Sequence, residues 1–269
     1  MLINKREFTP KRFSSGELKL LKSQLDEFIK QNRVEILYEN DFNIFELFLI
    51  IDYYKKKKVN IDLILSYLPY QRMEHKGRDE LDTVSYVANL FNSFNLDSIT
   101  LCEPHCDINC FMNSKKISFI HELKAKIFKE INFDLKNDYV VLTDKGGYKK
   151  YKNIAQNMVY FNKERDFQTG LIINQNIVGK IDVSKKILII DDIISTGDTI
   201  VNIIQYLTTL GAKEIYIFSA HLENNKFNKR IEEFFNVKKI FATNSLKKQG
   251  TKKIKLYDIR KIIYGNKDY

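Results

Sequence analysis

Residues 186–199, KILIIDDIISTGDT, decide how this chain reads. Ile187 to Ile190 form an unbroken β-branched and leucine run, the pattern of a strand buried on both faces as in a parallel sheet. Two carboxylates, Asp191 and Asp192, stand where the run ends; Ser195, Thr196, Gly197, Asp198 and Thr199 follow. From Ile200 to Leu210 the apolar spacing is that of an amphipathic helix, so the spacing predicts a polar loop between strand end and helix start. A helix start offers unpaired backbone N–H groups and the positive end of a dipole, Gly197 lets the backbone close around an anion, and the hydroxyls of Thr196 and Thr199 add donors. Carboxylates do not bind phosphate; the adjacent pair suits sugar hydroxyls or a hydrated magnesium ion. A plain helix cap needs one such group, whereas this stretch supplies several, and the loop reads as a site for a phosphorylated sugar.

Length and composition set the bounds around that stretch. At 269 residues with 44% hydrophobic content and three prolines, the chain is globular and long enough for two α/β domains. No apolar run reaches bilayer length and the start, MLINKREFTPKRF, lacks a signal-peptide core, so a cytoplasmic protein with no membrane partner is expected. The net charge of +10 is spread over scattered lysines, Lys55 to Lys58, Lys149 with Lys150, and Lys252 with Lys253, which favours polyphosphate substrates over nucleic acid. Cys102, Cys106 and Cys110 surround His105 at a spacing of four, but Pro104 interrupts the segment and no second ligand pair has zinc-site spacing; reduced cysteines are the better reading.

Outward from the central stretch, strands and helices alternate. Strands are expected at Val34–Tyr38, Ile61–Leu68, Ser98–Leu101, Tyr139–Thr143, Met158–Phe161 and Glu214–Ala220, and helices at Ile44–Tyr54, Leu81–Phe94 and Ile117–Ile131. Leu18–Ile29 has no decisive period, Gln168–Ile181 reads as an extended excursion or hairpin, and helix, strand and helix close the chain. This alternation predicts parallel α/β sheets. Polar groups fall just after strand carboxyl ends, at Arg72, His105, Asp144, Lys163 and Asp191, the edge where open α/β sheets bind ligands. The expected division is into two successive βα sets, residues 1–115 and 116–269.

In order along about residues 8–225, these motifs resemble the ribose-phosphate pyrophosphokinases, and the central loop resembles the ribose-5-phosphate loop of type I phosphoribosyltransferases more widely. The resemblance rests on FSSGE near the start, the helix NIFELFLIIDYYKK, LSYLPYQRMEHK followed by SYVANLF, and the histidine in LCEPHC. It implies two phosphoribosyltransferase-like domains, each a largely parallel sheet flanked by helices, residues 1–115 as the ATP-binding and oligomerisation domain and 116–269 as the ribose-phosphate-binding domain. It implies that Phe13 and Glu17 reach the ATP of a neighbouring subunit, that Arg72 and Glu74 contact ATP, and that His105 contacts both metal and ATP phosphates. By the same resemblance Asp144 helps hold Mg2+, and Lys163 and Arg165 are the basic pair of a catalytic flexible loop. Asp191, Asp192, Ser195, Thr196, Gly197, Asp198 and Thr199 form the sugar-phosphate loop. Departures from the family pattern are Met73 for a glutamine, Glu74 and Glu103 for aspartates, Ser195 for an aspartate and Asp198 for a glycine. A thioether cannot replace an amide as donor or acceptor, so adenine recognition at Met73 changes.

The implied reaction is Mg-dependent transfer of the β,γ-diphosphoryl group of ATP to the anomeric hydroxyl of ribose 5-phosphate, giving phosphoribosyl pyrophosphate and AMP. The chain is shorter than usual members and carries little of their amino-terminal strand, which with Met73 leaves open a larger acceptor such as ADP-ribose. A phosphoribosyltransferase and a non-catalytic nucleotide sensor are the remaining alternatives. A homo-oligomer, dimer or hexamer, is implied as well.

Overall fold

The computed structural model describes residues 1–39, 44–73, 81–165, 172–223 and 227–265, with backbone alone at 163–165, 172–175 and 227–229. Two units emerge: residues 1–118 together with the chain's closing segment from Ile263, and residues 119–262.

The first unit begins with β1 (Leu2–Ile3) and β2 (Arg6–Glu7), then a separate two-stranded hairpin of β3 (Lys11–Arg12) and β4 (Leu18–Lys19). The ambiguous segment that follows holds a short helix α1 (Lys22–Asp26), with Leu25 as its buried contact. Then come β5 (Arg33–Tyr38), α2 (Ile44–Lys56), β6 (Asn60–Leu65), α3 (Thr83–Ser93), β7 (Ser98–Cys102) and β8 (Ser114–Ile117). The sheet order is β2-β1-β5-β6-β7-β8; β5 to β8 run parallel and β1 is antiparallel to β5. Ile36, Ile61, Leu63 and Leu101 of these strands are fully buried with Leu47, Ile50 and Ile51 of α2, each side chain contributing roughly 1.5–3 kcal/mol of transfer free energy. Charge placement fits the helices: Glu46 in the first turn of α2 and Lys55 and Lys56 in its last complement the dipole, and Asp82 caps α3 by accepting from the Ser85 N–H at 3.2 Å.

In the second unit, α4 (Phe119–Glu130), β9 (Tyr139–Leu142), α5 (Lys145–Lys150), β10 (Asn157–Arg165) and β11 (Ile172–Val178) precede β12 (Ile187–Ile194), the expected central strand. It continues through α6 (Asp198–Thr209), β13 (Ile215–Leu222), α7 (Phe227–Glu232), β14 (Val237–Thr243), β15 (Ile254–Tyr257) and α8 (Ile259–Tyr264), whose end lies in the first unit. The order is β11-β10-β9-β12-β13-β14-β15, parallel apart from the β10–β11 hairpin. Ile187 to Ile190 are buried in mid-sheet between β9 and β13, as the apolar run requires.

Four points depart from the sequence reading. β12 does not stop at Ile190: its ladder to β13 continues, with Asp191 opposite Ser219 and Ile193 opposite His221, so the acidic pair lies on the strand and the loop begins at Ser195. A charge ends an apolar run but not a backbone ladder. Likewise Lys163 and Arg165 lie on β10, paired with Gln175 and Ile172 of β11, and not in a loop. Finally, Ile61–Leu68 is a strand only as far as Leu65, and a further strand, β15, precedes the last helix.

Candidate active site

In the second unit the candidate residues gather at the carboxyl ends of β9, β12 and β13. Asp191, half-buried, accepts from the Thr143 hydroxyl at 3.0 Å and from the Asp192 N–H at 3.1 Å, both on Oδ1. Asp192 is buried and takes an ion pair from Lys150 of α5, Nζ to Oδ2 2.8 Å. Neither Thr143 nor Lys150 was singled out by its sequence surroundings, although both lie just beyond or shortly after the β9 end. The Ser195 hydroxyl donates to Glu223 at 2.6 Å, tying the start of the loop to the residue that follows β13.

The helix start behaves as its composition requires. Gly197 is the N-cap of α6, with φ of 77°, the left-handed region, and no side chain caps it. The Val201 N–H donates to the Gly197 carbonyl at 2.9 Å, closing the first turn, and the amides of the residues between them point back out of the helix start. That is a cradle for an anion, in a twelve-residue helix. Asp198, at the first helical position, is held by Arg230 at 2.7 Å; this bond, with one from Thr196, keeps its carboxyl below the usual carboxylate range. The Thr196 hydroxyl, expected to add a donor for phosphate, is thus engaged with Asp198, the residue that departs from the family's glycine.

Asp144 is the N-cap of α5, its Oδ1 accepting from the Gly147 N–H at 2.7 Å, and it remains exposed. β10 passes this edge: Tyr160 lies opposite Leu142, the last residue of β9, and the strand continues five residues further, about 16 Å at strand rise. The backbone thereby carries Lys163 and Arg165 beyond the carboxyl edge on the same side as Asp144.

In the first unit, β6 and β7 are parallel neighbours, so the turns after them are adjacent. The first turn carries Arg72 and Met73, both exposed, after Tyr70 at φ of 63°. Glu74 lies outside the described residues. In the second turn His105 is exposed between buried Pro104 and Cys106. Glu103, almost fully buried at φ of 43°, donates its N–H to the Ile117 carbonyl at 2.7 Å and accepts from the Ser118 hydroxyl at 2.9 Å. Gln71, which nothing in its sequence surroundings marks, is fully buried and accepts the His105 N–H at 2.7 Å. All three cysteines are free thiols, and burial pushes the Cys102 thiol well above its usual range.

The hairpin β3–β4 presents Phe13, 53% exposed, and Glu17, which accepts from the Ser15 hydroxyl at 2.8 Å. Its anchor is Arg12, bidentate to the buried carboxylate of Glu46 at 2.9 and 3.2 Å, with a further bond to the Gly16 carbonyl at 2.6 Å. Among the described residues no three His, Cys, Asp or Glu side chains converge to hold an ion, and no helix is long and apolar enough to cross a membrane.

A sheet with an acidic pair beside a glycine-started helix is the architecture of the phosphoribosyl transferase domain, whose family profile matches residues 116–253. Over 241 residues the chain is 29% identical to a ribose-phosphate pyrophosphokinase of Sulfolobus acidocaldarius, covering 86% of this chain and 81% of that protein. With one from Mycoplasma genitalium the identity is 25%, covering 96% and 80%. Its fold is similar to that of phosphoribosylpyrophosphate synthetase from Mycobacterium smegmatis, with a TM-score of 0.76 at 21% identity over 95% of this chain and 87% of that one. The chain belongs to the phosphoribosyl transferase fold family and, within it, to the ribose-phosphate pyrophosphokinases.

Proposed function

We propose that this protein transfers the β,γ-diphosphoryl group of ATP to the anomeric hydroxyl of ribose 5-phosphate, releasing AMP and phosphoribosyl pyrophosphate. The observation that carries the reading is the uncapped start of α6 beside Asp191 and Asp192 on the central strand, in a chain whose relatives are named for this chemistry. In this reading the amides after Gly197 hold the 5-phosphate. Asp191, already aligned by Thr143, accepts hydrogen bonds from ribose hydroxyls, while Lys150 holds the Asp192 side chain in one orientation.

The first unit takes the nucleotide through Arg72 and His105. The exposed ring of Phe13 and the carboxylate of Glu17 serve the nucleotide of a second copy, so the working form is a homo-oligomer. Lys163 and Arg165 offset the charge that develops as the pyrophosphoryl group moves, and no protein nucleophile takes part; positioning and fixed cations account for catalysis. The donor set suits Mg2+ arriving on a polyphosphate, since that ion needs only one or two carboxylates beyond its phosphates and waters, and Asp144 is the exposed candidate. When bound it would neutralise phosphate charge.

The test incubates the protein with ATP, magnesium and either ribose 5-phosphate or ADP-ribose and identifies products by mass. AMP with phosphoribosyl pyrophosphate is the expected outcome. AMP formed only with ADP-ribose moves the acceptor to the larger ribose 5-phosphate derivative; ADP as the sole nucleotide product, or no turnover, overturns the reading. Lys163→Ala is expected to lower kcat by about 100-fold or more, the scale of a removed transition-state charge partner.

A further inference from the structure

We infer that Gln71 is a positioning residue: its buried amide oxygen braces the His105 turn against the Arg72 turn and so sets how the first unit holds a polyphosphate. The inference rests on the assignment of Arg72 and His105 to the nucleotide.

The chain geometry leads to Gln71 directly. Tyr70 in the left-handed region turns the backbone immediately before it, and the Met73 N–H closes the turn on the Tyr70 carbonyl at 3.0 Å. Within that turn Gln71 is fully buried while its neighbours Tyr70, Arg72 and Met73 are exposed. A glutamine side chain loses about 2 kcal/mol of rotamer freedom on such burial, so its retention inside a turn calls for a bond in return. Its Oε1 has one, the His105 N–H at 2.7 Å, across the gap between two parallel strands. Among the described residues its Nε2 is buried without a hydrogen-bond partner. The working atom is therefore the oxygen, because an apolar side chain would have filled the same space without leaving a buried donor unmet.

On its other side the same turn is fixed by Glu103, whose N–H and carboxylate reach Ile117 and Ser118. His105 thus stands between two braces, one from the β6 side and one from the β8 side. With Pro104 and Cys106 buried at its flanks, the imidazole is presented outward from a backbone that has little room to shift. Loss of one brace releases the ring by a fraction of an ångström to an ångström, a displacement that matters where charges on a polyphosphate are matched.

Gln71→Met keeps length and volume and removes the acceptor, whereas Gln71→Glu keeps an acceptor at the same place and gives up only the unpaired Nε2. Three quantities are measured on the full chain: exchange protection of the His105 backbone amide by NMR, the Kd for ATP with magnesium, and the Kd for ribose 5-phosphate. For Gln71→Met the expected results are loss of His105 protection, a 5- to 10-fold weaker ATP Kd, the scale of one buried hydrogen bond, and an unchanged ribose 5-phosphate Kd. Gln71→Glu, which keeps a carboxyl oxygen to accept the His105 N–H, is expected to restore the His105 protection. Unchanged protection or an unchanged ATP Kd in Gln71→Met overturns the inference, as does equal weakening of both ligands, which marks a general loss of fold. Should the unaltered protein bind no ATP, the proposed function fails, and the His105 amide still decides whether the brace exists.

Discussion

Replacing Gly197 with alanine tests the phosphate cradle through the sign of a stability change. In an ordinary helical or extended position, Gly→Ala stabilises by about 0.4–1 kcal/mol, because the unfolded chain has fewer states to lose. At φ of 77° the left-handed backbone opposes a Cβ by roughly 1–2 kcal/mol. At the middle of the two ranges the difference leaves Gly197→Ala destabilised by about 0.8 kcal/mol. In a unit of some 140 residues this lowers the melting temperature by about 3 °C. Gly197→Asn is expected to lose less, since asparagine visits this region, and Gly197→Val more, because β-branching makes a positive φ hardest to hold. Calorimetry of the four proteins, with ribose 5-phosphate titrated into each, reads both the fold and the cradle. An alanine variant more stable than the parent refutes the left-handed cap and the anion site built on it.

Other perturbations follow from the same geometry. Lys150→Met leaves the buried carboxylate of Asp192 without this cation. Both side chains retain some solvent contact, so the expected cost is about 1–3 kcal/mol, below that of a fully buried pair, measured by urea unfolding with and without the compensating Asp192→Asn. Asp62 of β6 is held below the usual carboxylate range by Arg33 of β5, at 2.7 Å, and secondarily by the Ser98 hydroxyl of β7 at 2.6 Å. Its folded form therefore binds a proton less readily than the unfolded one. Its contribution is full above about pH 4–5 and is lost as pH falls through the unfolded value near 3.9 and then the lower folded one. Asp62→Asn is expected to flatten the acid limb of the first unit's stability curve; an unchanged limb counts against the Arg33 bridge. Arg12→Ala frees the β3–β4 hairpin from the buried Glu46 carboxylate, and a higher KM for ATP with little change for ribose 5-phosphate is expected in steady-state assays.

The sequence was most legible where burial dictates residue type. Ile187 to Ile190 are mid-sheet because nothing polar interrupts them, and Ile44 to Tyr54 form a helix because apolar residues recur on one side and lysines gather at its end. Gly197 was readable because few residues other than glycine tolerate its backbone angle. What escaped notice depends on partners distant along the chain. Asp191 and Asp192 remain on a ladder because β13 is long enough to pair with them, a fact contained in Ser219 and His221 and not in the acidic pair. Lys163 and Arg165 are on a strand because β11 returns beside them. Lys150 and Thr143 acquire roles from carboxylates more than forty residues away, at 2.8 and 3.0 Å. Gln71 carries no local mark, for only the register of β6 against β7 brings the His105 amide within reach.

The return of the chain from Ile263 into the unit that it began has a bearing on synthesis. Lys5 lies over the Tyr264 ring at 4.7 Å, so a surface near the amino terminus receives a neighbour more than two hundred and fifty residues later. On the ribosome, residues 119–262 have every strand of their sheet in hand before the first unit receives the segment from Ile263. Arrest or cleavage just after Ile262 would therefore be felt first around Lys5, and a nascent chain halted there should show proteolytic nicking near Lys5 while residues 119–262 resist.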